Sequence, residues 1–143
     1  MKSSTKISLT LFLIPVLTCL GIGMYYMKLS LSENMEFERN SIEYRLLTPN
    51  ILKDIPTEDI GKVSRYYYSA AEGDKPLINA VELVSGKEKE RLENIIMRYF
   101  LHKQFIINKH GKIVKDDEEI TLTFEKNDSN EWVIRITLAE IIK

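Results

Sequence analysis

The chain has 143 residues, of which 44% are hydrophobic and 29% are charged, and its formal net charge is -1. This length favours one folded domain, and the composition is too apolar for a wholly disordered chain. The 20 basic and 21 acidic residues lack the positive surplus with which nucleic-acid binders neutralise phosphates. A single Cys and two His exclude a disulfide framework and leave too few ligands for a structural zinc site.

The N-terminal region contains an uncharged, mostly apolar stretch from Ile7 to Met27. A helix of about 21 residues is roughly 31 Å long, which matches the hydrocarbon core of a bilayer. Lysines flank the stretch on both sides, and two tyrosines near its end suit an interfacial position. We therefore predict a single-pass signal anchor at residues 1–28, in the inner membrane of a bacterium. The N-terminus would be cytoplasmic and the C-terminal domain periplasmic.

Two alternatives for this segment stay open. The small residues Gly21 and Gly23 offer a signal-peptidase site, and cleavage near Gly23 would release a secreted or periplasmic protein. Cys19 offers a site for lipidation, although Thr18 precedes it where bacterial lipoproteins usually have a smaller residue. All three interpretations place the rest of the chain outside the cytoplasm.

The segment after the anchor, residues 29–47, is predicted to be a polar stalk followed by a first strand over Ser41–Leu47, where apolar and polar residues alternate. Residues 48–143 then form an extracytoplasmic α+β domain. Its first predicted helix begins at a Thr57 cap and ends at Gly73.

The middle of this domain is predicted to contain a strand over Leu77–Val84 and a second helix. Ser85 and Glu88 have the spacing of a capping box. An apolar stripe at helical spacing follows, formed by Leu92, Ile95, Ile96, Tyr99 and Phe100.

The C-terminal part has the period of two that is typical of strands. A short strand over Phe105–Ile107 precedes a hairpin, whose arms cover residues 120–125 and 132–139 and whose turn is Asn127–Asn130. The predicted fold class is therefore α+β: an N-terminal transmembrane helix, then a small antiparallel sheet of three or four strands with two helices packed on one face.

Two short resemblances carry no prediction. Val63–Asp74 (VSRYYYSAAEGD) and Glu131–Ile134 (EWVI) resemble a helix and a late strand of cone-shaped α+β domains of the nuclear transport factor kind. An N-terminal span before a small head also resembles a pilin-type subunit, but Lys28 stands where pilins have Glu five residues after the cleavable Gly.

We recognise no catalytic, phosphate-binding or metal-binding motif in the chain. There is no nucleophile elbow, no Gly-rich phosphate loop and no His-Glu-x-x-His pattern. His102 near a helix end and His110 in a turn are interpreted as surface residues, and the acidic run Asp116–Glu119 as a solvated turn without the Gly-kinked loop of calcium sites. Asn127-Asp128-Ser129 matches the Asn-x-Ser glycosylation pattern. Matches to such a short pattern arise often by chance, and turns are rich in these residue types, so we predict no glycosylation site here. We predict no catalytic, cofactor-binding or metal-binding residues, no cofactor and no enzyme activity.

A partner-binding face is predicted on the first helix. The helical spacing i, i+3, i+4 and i+7 would place four residues on one face opposite the apolar stripe: Lys62, Arg65, Tyr66 and Ser69. Tyr67 is assigned to the core, which leaves Tyr66 or Tyr68 near the surface beside Arg65. Tyrosine and arginine are enriched at binding hot spots. The candidates are Lys62, Arg65, Tyr66 and Tyr68.

The predicted function follows from these features. We expect a membrane-anchored, non-enzymatic, extracytoplasmic protein-binding module, such as an immunity or inhibitor protein or an accessory subunit of an envelope complex. Its partners would be proteins of the cell envelope, with the membrane contacted through residues 7–27 and no nucleic acid bound. The alternative is a bitopic structural subunit whose transmembrane helix makes the functional contacts through small residues such as Gly21 and Gly23.

Overall fold

The computed structural model describes residues 3–141, with side chains described for residues 13–29 and 31–141. The chain divides into two compact units, and the boundary between them falls after Ser32. The first unit is a helix, α1 (Ser3–Ser30), which contains Pro15. The second unit carries the sheet and the remaining helices.

The predicted membrane span, residues 7–27, falls on α1, and its first six residues lie outside the described side chains. Among the residues that the structure describes, no helix is both long and apolar enough to cross a membrane.

This finding contradicts several predictions about the N-terminal segment. The transmembrane signal anchor, the single-pass topology and the inner-membrane localisation with a periplasmic domain are all unsupported by it. The alternative of a bitopic subunit depends on the same span and is withdrawn with it.

The second unit is a seven-stranded sheet in which every strand pair is antiparallel, in the order β1-β2-β3-β7-β6-β5-β4. Its strands are β1 (Met35–Phe37), β2 (Lys62–Ser69), β3 (Leu77–Ser85), β4 (Ile106–Ile107), β5 (Ile113–Lys115), β6 (Glu118–Lys126) and β7 (Trp132–Glu140). Its helices are α2 (Ile42–Leu47), α3 (Asn50–Lys53), α4 (Thr57–Ile60) and α5 (Lys89–His102).

One face of the sheet forms the hydrophobic core with the helices. Strand residues such as Val81 and Ile136 and helix residues such as Leu52, Leu92 and Phe100 belong to one buried cluster. Because successive side chains of a strand point to opposite faces, the residues between them lie on the other side of the sheet. We call this second side the polar face.

The predicted size of the sheet is wrong, because seven strands are present rather than three or four and four helices rather than two accompany them. Strands β1 and β5 have three residues each and were not predicted. A period of two cannot be recognised over so few residues. The predicted strand over residues 41–47 is instead helix α2, which begins where the Ser41 side chain accepts a hydrogen bond from the Tyr44 amide.

The predicted first helix over residues 57–73 is also wrong. Only the single turn α4 is helical, and the chain continues after Gly61 as strand β2. A Cβ atom at position 61 would collide with the backbone oxygen of Val84, so this glycine allows the chain to cross close to β3. Strand β2, residues 62–69, then pairs with residues 78–84 of β3. The register shifts by one residue between Val63 and Arg65.

The strand over residues 77–84, the second helix and the C-terminal hairpin are present where the patterns predict them. The apolar stripe of α5 faces the core, since Leu92, Ile96 and Phe100 are buried. The predicted capping box is absent, because Ser85 lies at the end of β3 and its hydroxyl donates a 2.6 Å hydrogen bond to the Ile60 carbonyl. Glu88, at the N-cap, makes no side-chain cap hydrogen bond.

Candidate functional site

The most highly organised group of charged side chains lies on the polar face. The strand register places Arg65 opposite Glu82, and Glu82 opposite Arg135, in one row across β2, β3 and β7. In the neighbouring row Tyr67 lies opposite Glu36 of β1. We call these five residues the Glu82 cluster.

Glu82 is the centre of the cluster. Its Oε2 atom accepts a 2.9 Å hydrogen bond from Nη2 of Arg135 and a 3.1 Å hydrogen bond from the Tyr67 hydroxyl. Its Oε1 atom lies 3.8 Å from Nε of Arg65. The side chain is only 13% exposed, so its charge is compensated by these donors rather than by bulk water.

The two arginines extend the cluster to both sides. Nη1 of Arg65 donates a 2.7 Å hydrogen bond to Oε2 of Glu36. The guanidinium carbon of Arg135 lies 4.6 Å from the centre of the Tyr67 ring, in the geometry of a cation–π contact. Both arginine side chains are 48% exposed, and each guanidinium has donors beyond those used inside the cluster.

The electrostatics of the cluster favour fixed protonation states. The hydrogen bond to Glu36 raises the pKa of Arg65, and the hydrogen bond to Glu82 raises the pKa of Arg135. Burial, followed by the hydrogen bond to Glu82, raises the pKa of the Tyr67 hydroxyl. These groups therefore keep their protons at neutral pH, and Tyr67 acts as a hydrogen-bond donor rather than as a base.

The surface beside the cluster is shallow. A cavity of about 70 Å³ lies between Glu82, Thr123, Glu125, Val133 and Arg135. Ligand pockets usually have volumes of about 300–1,000 Å³. This cavity therefore suits a few water molecules or one inserted side-chain tip better than a substrate.

The four residues predicted as a partner-binding face do not share a face. Lys62 and Arg65 are exposed on the polar face, because their partners in β3 are Val84 and Glu82. Tyr66 and Tyr68 point into the core and are only 1% and 5% exposed. The assignment of Tyr67 to the core is likewise reversed, because the segment is a strand and its side chains alternate between faces.

Tyr66 has a structural role in the core. Its ring lies 4.7 Å from that of Tyr44 in α2 and stacks on Phe37 of β1 at 6.3 Å. Burial, and then the neighbouring Tyr44, raise the pKa of Tyr66 to about 12. Because the side chain is only 1% exposed, Tyr66 is not available to a partner in solution.

The sequence analysis missed three members of the cluster, Glu36, Glu82 and Arg135, and misplaced Tyr67. The signal available for Glu82 was its charge in the otherwise apolar strand LINAVELVS, because a carboxylate at such a position needs a partner. No sequence pattern indicates that Arg135 is the partner, since β3 and β7 lie far apart in the chain.

The remaining candidate groups lie in turns and ion pairs. Within the residues that the structure describes, no group of three or more His, Cys, Asp or Glu side chains is arranged to hold a metal ion. Asp116 has a positive φ of 52° in the turn before β6, and Glu119 pairs with Lys112 at 2.8 Å. His102 and His110 are exposed, and Asn127 caps the hairpin turn through Oδ1, which accepts from the Glu131 amide.

Comparisons with known proteins assign no family to this geometry. The chain matches no protein-family model, and neither a curated protein nor a solved structure is significantly similar to it.

Proposed function

We propose that the α+β unit is a non-enzymatic protein-binding module that recognises a protein partner through the polar face of its sheet. The module would act as an inhibitor or immunity protein does, by occupying the surface of another protein. The observation that supports this proposal is the Glu82 cluster, in which two half-exposed arginines are held in fixed orientations.

Pre-organisation is the physical reason to prefer the arginines as contact residues. Ordering a long side chain on binding costs free energy, and a side chain that is already held loses less freedom. Arg135 is held by Glu82 and by the Tyr67 ring, and Arg65 is held by Glu36. The unused N–H groups suit a partner surface that presents backbone carbonyls or carboxylates.

The composition of the polar face also supports a protein partner. Exposed threonines at positions 121 and 123 lie beside the charged cluster, and half-buried Val84 and Val133 lie beyond it. A mixture of polar, apolar and arginine side chains is typical of interfaces that form between separately folded proteins. Because Arg65, Tyr67 and Arg135 keep their protons near neutral pH, these three side chains are weaker candidates for acid–base catalysis.

Photo-crosslinking in cells that produce the protein tests this proposal. A benzophenone amino acid is placed at Thr123 on the polar face, and in a separate variant at Glu90 on α5, where the side chain is also exposed. We expect a discrete protein adduct from position 123 that is absent from position 90. Adducts of equal yield at both positions, or none at position 123, would contradict the proposal.

Two substitutions then define the contact. Arg65→Ala removes one exposed guanidinium, and Thr121→Arg adds bulk to the polar face while replacing no residue of the Glu82 cluster. We expect each to reduce the yield of the adduct at least tenfold, as hot-spot changes do, while the matched change Glu90→Arg leaves it unaltered. The urea midpoint of each variant confirms that a loss of adduct is not a loss of folding.

A further inference from the structure

One edge of the sheet is covered over only part of its length. Strand β1 pairs with residues 66–68 of β2, whereas β2 begins four residues earlier, at Lys62. The other side of this first stretch pairs with β3. Within the described part of the chain, no backbone hydrogen bond joins residues 62–64 to residues 38–40, which follow β1. The N–H and C=O groups that point outward here are therefore open to another strand.

A groove lies along this open edge. It has a volume of about 340 Å³ and is lined by residues 38–40, Thr57 and residues 61–64. This volume falls within the range of ligand pockets, about 300–1,000 Å³. Val63 is half-buried and packs against the hydrophobic core, so it gives the groove one apolar contact. The groove therefore offers main-chain groups and an apolar side chain to an extended segment.

The charged side chains that line the groove have a positive sum. Arg39 and Lys62 are exposed, and Glu38 is the single carboxylate among the lining residues. None of the ion pairs formed within residues 31–141 includes any of these three. Two positive charges against one negative charge favour an occupant with an anionic side chain over one with a cationic side chain.

The open edge is also protected against indiscriminate pairing. The register shift between Val63 and Arg65 leaves Ser64 as an extra residue in β2. Such bulges, like exposed lysines, keep strand edges from joining at random. A strand that binds here therefore pairs over a short length, and its side chains must add to the main-chain hydrogen bonds.

We propose that this edge is a docking site for an extended segment of a protein partner. The segment would add to β2 in line with β1 and present a carboxylate to Arg39 and Lys62. In strand addition the main-chain hydrogen bonds give affinity, and the side-chain contacts give specificity. The site is separate from the Glu82 cluster, although Lys62 lies on the polar face as well.

N-methylation of a short peptide tests this site on the full-length protein. The probe is acetyl-Thr-Val-Asp-Val-Thr-amide, whose valines and threonines favour an extended backbone. In ¹⁵N-labelled protein we expect it to shift the amide signals of residues 61–64 with millimolar affinity. Successive amides of a strand point to opposite sides. N-methylation of the two valines and N-methylation of the other three residues should therefore differ, because one set abolishes the shifts and the other preserves them.

Side-chain changes test the charge. The analogue with Asn in place of Asp should bind about two- to fivefold more weakly, which is the scale of exposed ion pairs. The double change Arg39→Gln and Lys62→Gln should remove this preference. Lys109→Gln should preserve it, because Lys109 is exposed in the turn after β4, at the opposite edge of the sheet.

Three results would overturn the proposal: equal effects of the two methylation sets, equal affinity for the Asp and Asn peptides, or no shifts at residues 61–64 with millimolar peptide. The crosslinking experiment on the polar face reads position 123 instead. Failure of strand addition at this edge is therefore distinguishable from failure of the proposed function.

Discussion

Arg135 and Tyr67 contact each other although they lie on strands that are not neighbours in the sheet. The guanidinium Nη2 of Arg135 is 3.3 Å from the Tyr67 hydroxyl, and its central carbon lies over the ring. Strand β3 runs between them and contributes Glu82, which both residues contact. The cluster therefore links three strands on the side of the sheet opposite the hydrophobic core.

The first prediction concerns the free energy of unfolding when Glu82 is removed. Glu82→Ala leaves the Tyr67 hydroxyl and the Arg135 guanidinium without their acceptor, which should cost about 2 kcal/mol. Glu82→Gln keeps an acceptor and should cost less. Urea denaturation measures both, with Glu36→Ala, at the exposed end of the cluster, as the control. A Glu82→Ala variant as stable as the control would mean that the cluster does not stabilise the sheet.

The second prediction separates the adjacent tyrosines. Tyr66→Ala should destabilise the protein by about 3–5 kcal/mol, because it empties a fully buried aromatic site. Tyr67→Ala removes a half-exposed ring and should cost less than half of that. The urea midpoints of the two variants give the comparison. If the order were reversed, the strand alternation of β2 would be incorrect.

The third prediction uses two glycines as a matched pair. Gly61→Ala should destabilise the protein by about 2 kcal/mol or more, because the new methyl group meets the Val84 carbonyl. Gly86→Ala should lie within about 0.5 kcal/mol of the wild type, since no atom lies within 4 Å of the added carbon. Thermal unfolding of both variants in the same buffer is the measurement. Equal melting temperatures would contradict the close crossing of the chain at position 61.

The fourth prediction concerns pH and Glu118. Burial, and then the Glu140 carboxylate directly opposite in β7, raise the pKa of Glu118, while Lys115 opposes the shift and Asp116 adds to it. A carboxyl whose pKa is raised by folding binds more protons in the native state than in the unfolded state. Its contribution to stability therefore falls as the pH rises through the window between the unfolded value, about 4.3, and the raised native value.

Glu118→Gln removes this titration. We expect the variant to melt above the wild type at pH 7 and the difference to shrink as the pH falls towards about 4. Glu125→Gln is the control, because Glu125 lies on the same strand but is exposed on the polar face. A difference that stayed constant between pH 4 and 7 would show that the Glu118–Glu140 opposition does not affect stability.

The sequence correctly predicts those elements in which several apolar residues recur at one regular spacing. Strand β7 and the stripe of α5 each contain three buried residues at regular spacing. In β6, buried or half-buried residues alternate with exposed ones from Ile120 to Glu125. In residues 57–73, by contrast, Ile60, Val63 and Tyr67 have helical spacing by coincidence. Aromatic residues prefer strands, and three consecutive tyrosines, Tyr66 to Tyr68, would place alternate rings on opposite faces of a strand. These two features predict a strand here better than the helical spacing predicts a helix.

The candidate site was predictable only in part, for a different reason. The sequence identifies Arg65 as a candidate from its residue type and expected exposure, but its partners Glu36 and Glu82 come from β1 and β3. The pairing of β3 with β7 brings Glu82 to Arg135 across 53 positions of sequence. Hydrophobic periodicity reports which residues are buried and carries no information about which strands are neighbours.

From the strand order we also expect a particular order of folding events. Strands β6 and β7 are joined by the short turn Asn127–Asn130 and can pair early, because closing a short loop costs little entropy. Pairing of β3 with β7 must wait until the chain between Ser85 and Trp132, which includes α5, has been brought into place. Changes in the hairpin turn should therefore slow folding, whereas changes at the β3–β7 seam should mainly accelerate unfolding.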